Sequence, residues 1–90
     1  MIPTIIINNS AAYECSFCGL SSFGYLYIDV HGLTLADALQ AFGAADTVTY
    51  KTDMAERTYS GFHLTGVEYV FGGTETVRIS MMRNGGDGIG

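Results

Sequence analysis

Hydrophobic and polar positions alternate with a period of two over most of this chain, and one stretch alone switches to the helical period. Thr4-Ile5-Ile6-Ile7 is β-branched and reads as a strand. Asn8-Asn9-Ser10 supplies residues that tolerate turn conformations, so Ala11–Cys15 should return as the second arm of an N-terminal hairpin. From Phe23 to Val30, Leu26, Ile28 and Val30 share one face while Tyr25, Tyr27 and Asp29 share the other, as in a strand with one side in the core. Thr47–Lys51 alternates again, with Val48 and Tyr50 opposite Thr47, Thr49 and Lys51, and Asp53–Arg57 reads as a polar connection.

The helical stretch lies between these strands. Thr34 suits an N-cap, Asp37 can reach back to it and faces the positive end of the helix dipole, and Gly43 can end the helix. Leu35, Ala38, Leu39 and Phe42 follow the i, i+3, i+4, i+7 spacing of one buried stripe. Beyond it, Thr58–Phe71 alternates in two halves of opposite phase: Phe62 and Leu64 set one parity, Val67, Tyr69 and Phe71 the other. A β-bulge near Thr65-Gly66 reconciles them, because one extra residue shifts parity by one. Gly72-Gly73 reads as a turn into Thr76–Met82, where Val77, Ile79 and Met81 face inward. The expected fold is α+β, mostly antiparallel sheet with one short amphipathic helix in the order βββ-α-βββ. It is a single domain over residues 1–83, and the glycine-rich stretch Asn84–Gly90 is expected to be a mobile tail.

Composition narrows the function classes. With 48% apolar and 14% charged residues in 90, the chain has the material for one core and lacks the signature of disorder. No apolar run approaches the roughly 18 residues of a membrane span, and Met1-Ile2-Pro3-Thr4 lacks the features of a secretory leader, so a cytoplasmic location is expected. Four basic residues against nine acidic ones give a net charge of −5. Each phosphate contact needs a cation, so direct nucleic-acid binding is disfavoured, and a basic protein is the partner that such a surface would attract.

Candidate chemistry is sparse. Cys15-Ser16-Phe17-Cys18-Gly19 has the form of half a zinc knuckle, two thiols separated by two residues and followed by a glycine. Were Zn2+ bound, His63 would be the third ligand, since His31 at the end of its strand is expected to lie too far away; a zinc shared by two copies through four thiolates is a further arrangement. The plainer alternative places Cys15 and Phe17 in the core and Cys18 in a loop. No helix pattern follows Gly19, as a reactive thiol pair would need. No Gly-x-Ser-x-Gly, His-Glu-x-x-His or phosphate-cradling glycine run occurs, so no enzymatic activity is expected. The candidate partner-binding face is Phe23, Tyr25, Tyr27 and Asp29 with Glu14 beside it, because tyrosine offers large contact area at low entropic cost. A second sheet or the helix covering those rings is the alternative. Asp46, Asp53 and Glu56, in the connections flanking the fourth strand, form a second candidate.

The stretches Gly32-Leu33-Thr34-Leu35-Ala36-Asp37-Ala38, Thr58-Tyr59-Ser60-Gly61-Phe62-His63-Leu64-Thr65-Gly66-Val67 and Glu75–Ile79 together resemble small proteins encoded by phages and prophages of Gram-positive bacteria. In size, acidity and lack of catalytic motifs the chain is also similar to anti-CRISPR proteins. The resemblance implies a phage context and, within it, a non-catalytic inhibitor that binds a basic defence protein such as a CRISPR nuclease. Two other expectations stand beside it: a minor virion or tail-assembly component that self-associates through edge strands, and a small zinc-binding interaction module. Either a monomer or a homodimer fits these readings.

Overall fold

The first hairpin follows from its two asparagines. In the computed structural model, which describes residues 2–70 and 72–85, strand β1 (Thr4–Ile7) ends at Asn8 and Asn9, whose φ values of 51° and 60° are both left-handed. Two consecutive left-handed residues make the turn whose twist matches antiparallel strands, and asparagine tolerates that region better than other non-glycine residues. The chain returns as β2 (Ala11–Leu20), then β3 (Leu26–His31), helix α1 (Leu35–Gly43), β4 (Thr47–Lys51), β5 (Glu56–Ser60), β6 (Phe62–Tyr69) and β7 (Thr76–Arg83). The class is α+β, as expected, with three strands before the helix and four after it.

The additional strand is β5, which covers part of the segment expected as a polar connection. Its Glu56, Arg57, Thr58 and Ser60 are exposed and Tyr59 alone is buried, so it carries almost no apolar alternation. It pairs with β4 in a tight hairpin whose Thr52 hydroxyl accepts from the Met54 and Ala55 N–H groups. β2 likewise runs five residues beyond the expected Cys15, and β3 starts three residues later than Phe23.

All neighbours are antiparallel in one curled sheet of order β5-β4-β1-β2-β3-β7-β6. β5 and β6 therefore lie at opposite ends of the sheet although Gly61 alone separates them in sequence. Gly61 takes φ 75°, donates its N–H to the Asp46 carbonyl beyond β4 and accepts at its carbonyl from the Asn84 N–H beyond β7. The two ends of the sheet meet at this one residue, which reaches to opposite sides because its backbone is left-handed.

Inside the curl lie Ile5, Ile7, Cys15, Leu26, Ile28, Val30, Val48, Phe62, Val77, Ile79 and Met81, with Ala38 and Phe42 of α1 packed among them. The Tyr13 and Phe42 rings meet at 6.5 Å. Thr34 caps α1, its hydroxyl accepting from the Asp37 N–H at 3.1 Å. The helix does not present the stripe expected from spacing alone: Ala38 and Phe42 are buried and Leu35 is half-buried, but Leu39 is 51% exposed. The curl receives the helix over a narrow strip, and Leu39 falls outside it. The bulge in β6 lies where the phase break puts it, between Leu64 and Gly66, and the Thr65 hydroxyl there donates to the Ser80 carbonyl at 3.0 Å. Of the expected tail, Asn84 is held by Gly61 and by His63, and residues 86–90 lie outside the described residues.

Candidate protein-binding face

Two residues after Cys15 the register of β2 shifts: Cys15 pairs with Val30, but Phe17 pairs with Asp29 and Cys18 with Ile28. This second bulge decides what each residue of the half-knuckle does. It turns Cys15 and Cys18 to the same, inner side and Phe17 to the outside, where 47% of it is exposed. Phe17 is thus not a core residue and Cys18 is not in a loop, contrary to the plainer expectation. His31 is also not remote, since Val30 lies directly opposite Cys15; it sits on the outer side, with Nδ1 3.1 Å from the Thr76 hydroxyl.

The thiols share the inner side of the curl with Tyr50 and Tyr59, while Arg57, itself exposed, lies near enough to act on the charge of Cys18. Burial pushes Cys15 up to about 11, with the Asp29 charge adding to it. Burial pushes Cys18 further, to about 12, with Cys15 adding and Arg57 opposing. Both are therefore neutral thiols at ordinary pH, the reverse of an activated nucleophile. Both are free cysteines, set opposite Val30 and Ile28 across the bulge. His63 lies on the outer side of β6, between inward Phe62 and Leu64, with Nδ1 2.7 Å from Asn84 Oδ1. The sheet stands between it and the thiols, and among the described residues no three His, Cys, Asp or Glu side chains converge as a metal would need.

On the outer side of β2, β3 and β7 the side chains form one continuous arrangement. Arg78 forks onto Asp29, Nε to Oδ1 at 2.8 Å and Nη2 to Oδ2 at 3.0 Å, and its guanidinium lies 5.7 Å from the centre of the Tyr27 ring. Tyr25 stacks on Tyr27 at 5.8 Å. Gly19 sits opposite Tyr27, and the Phe17 ring lies over it, 3.2 Å from where a Cβ would stand. Among the described residues neither the helix nor a second sheet covers these rings, since α1 packs on the inner side. The fork buries Asp29 to 6% exposure, so Asp29 orders the face rather than offering a free charge, and the face also carries Arg78, which the alternation of β3 does not disclose. Its cross-strand partner Glu68 and the outward Glu14 are exposed, leaving three carboxylates against one guanidinium.

The second candidate does not form one patch. Asp46 precedes β4 and Asp53 and Glu56 follow it, at opposite ends of a five-residue strand roughly 17 Å long. Two shallow open depressions flank the helix: one of about 460 Å³ between His31, Thr34 and Glu75, and one of about 270 Å³ beside Tyr13 and Asp37. Among the described residues no helix is long and apolar enough to cross a membrane. Comparison with known families, curated proteins and solved structures yields no match.

Proposed function

We propose that this chain is a non-catalytic, phage-encoded inhibitor that acts in the host cytoplasm by binding a basic bacterial defence protein such as a CRISPR nuclease through the outer face of β2, β3 and β7. The observation that carries the reading is the uncovered arrangement of Phe17, Tyr25 and Tyr27 braced by the Arg78–Asp29 fork. Aromatic side chains already fixed by stacking lose little entropy on binding, and aromatic centres with charges at the rim are what protein interfaces concentrate. Glu14 and Glu68 and the net charge of −5 complement a basic surface of the kind that ordinarily holds nucleic acid. The test titrates purified guide-free and guide-loaded CRISPR nucleases with the chain and follows both complex formation and protection of target DNA. A complex at low micromolar concentration or tighter, weakened by Tyr27→Ala, is expected. No complex with any candidate nuclease at that concentration, and no protection, would sink the proposal.

A second reading, a minor virion or tail-assembly component, draws on β5. Hydrogen bonds from Thr52 to Ala55 and from Gly61 to Asp46 fix the ladder so that Arg57 and Tyr59 bond to β4. Glu56, Thr58 and Ser60 then turn their backbone groups to the free edge, a template for strand addition. Sedimentation that shows only monomer, together with absence from purified virions, rules it out.

A further inference from the structure

The tip of the β2–β3 hairpin holds the least explained residue in the fold. Phe23 is 85% exposed and takes no part in the core. Its loop is nonetheless firmly built: the Ser21 N–H donates to the Tyr25 carbonyl at 2.7 Å, the Gly24 N–H to the Ser21 carbonyl at 3.1 Å, and the Tyr25 N–H to the Ser21 hydroxyl at 3.1 Å. Gly24 at φ 93° supplies the left-handed step that closes a three-residue hairpin loop, and the position before it ordinarily takes a small polar residue. A large apolar ring there lies outside the core and is held out into solvent by a hydrogen-bonded loop.

The surroundings point the same way. From Cys15 to Ile28 the chain carries no charged residue, in a protein where 14% of residues are charged. Phe17, 47% exposed, lies on the outer side of the same hairpin, and Tyr25 and Tyr27 follow directly. Charges begin again only at Glu14 and Asp29. An uncharged aromatic centre, rigidly presented and bordered by carboxylates, has the anatomy of an interface core with its rim.

We infer that Phe23 is the insertion anchor of the binding face, and that its partner is a protein with an apolar socket bordered by basic residues. This rests on the reading of the face as a protein-binding surface. The charge of the rim makes that occupant a protein rather than an anionic lipid surface, which a chain of net charge −5 would be repelled from. Because the loop is already ordered, seating the ring carries little ordering cost, so its removal falls mainly on the dissociation rate.

The experiment measures association and dissociation rates of the wild-type chain, Phe23→Ser and Tyr27→Ala on an immobilised guide-free CRISPR nuclease at about 50 and 500 mM salt, a range over which exposed charges become screened. Burial of one phenylalanine corresponds to roughly 10- to 100-fold in affinity. Phe23→Ser should raise the dissociation rate by that factor at both salt concentrations, with its thermal unfolding unchanged. Wild-type binding that Tyr27→Ala weakens and Phe23→Ser leaves intact overturns the anchor and spares the face. Wild-type chain that binds none of the nucleases at low micromolar concentration takes down the face reading, and the anchor with it. Equal binding to vesicles of anionic phospholipid, lost in Phe23→Ser, overturns the assignment to a protein socket.

Discussion

At Asn8 the backbone takes φ 51° while the side chain joins the first hairpin to the connection after the helix. Its Oδ1 accepts from the Asp46 and Thr47 N–H groups at 2.9 and 3.1 Å, and its Nδ2 donates to the Ala44 carbonyl at 3.0 Å. Two costs therefore attach to replacing it. Asn8→Ala loses both the tolerance of a left-handed backbone and the three bonds, and should destabilise by about 2–4 kcal/mol; Asn8→Gly keeps the first and should cost about 1–2 kcal/mol. Urea unfolding of the two variants separates the contributions, and equal losses would mean that the backbone conformation contributes nothing. The cysteines give a second residue-scale prediction, this time in pH. Folded values of about 11 and 12 lie above the ordinary 9.0, so the folded chain holds its thiol protons where the unfolded chain releases them. Stability from this source is intact below about pH 9 and falls as pH rises from there through 11–12, because the unfolded state then binds fewer protons. At about pH 8 both folded thiols are ionised roughly 100-fold less than in the unfolded chain or lower still, and only the thiolate attacks. Alkylation by iodoacetamide should therefore be at least about 100-fold slower in the folded than in the urea-unfolded chain. Similar rates in the two states would mean that the thiols are not held inside.

Gly61 is where two elements become one continuous path. A side chain there meets nothing within 4 Å, so the cost of Gly61→Ala is conformational rather than steric: about 1–2 kcal/mol from φ 75° alone. Gly61→Asn should lose less, since asparagine tolerates that region, and thermal unfolding of the pair checks the ordering. The same element scale shows what sequence can and cannot disclose. The β6 bulge is legible because Phe62 and Leu64 disagree in phase with Val67 and Tyr69. The β2 bulge carries the same signal, odd positions at Tyr13 and Cys15 giving way to even ones at Cys18, but the Cys-x-x-Cys spacing invites a chemical explanation in its place. β5 is hidden for another reason: an edge strand with one buried side chain has little need of apolar alternation, and Tyr59 alone is too thin a signal. On α1 the periodicity gives the buried side but not its width, because how much of a helix is buried depends on the curvature of the sheet that receives it. The aromatic face follows from alternation in β3, whereas the Arg78–Asp29 fork depends on pairing residues 49 positions apart and has no local trace.

For the molecule as a whole, acidity and apolar surface occupy different places and so control different parts of association. Nine acidic residues against four basic ones set a long-range field, while the hairpin from Cys15 to Ile28 is uncharged. A field acts while partners are still apart, and salt screens it beyond a Debye length of about 10 Å at 0.1 M. Close contacts act only after docking. Replacing both Glu14→Gln and Glu68→Gln changes the net charge from −5 to −3 and removes the two exposed carboxylates that border the aromatic face, without touching the rings or the fork. On the proposed basic partner this double variant should associate several-fold more slowly at low salt, dissociate at nearly the wild-type rate, and converge with wild type near about 0.5 M salt. Stopped-flow association across that salt range measures it. A change confined to dissociation would mean that the two carboxylates lie within the contact itself, and that the rim extends further over the sheet than the uncharged hairpin defines.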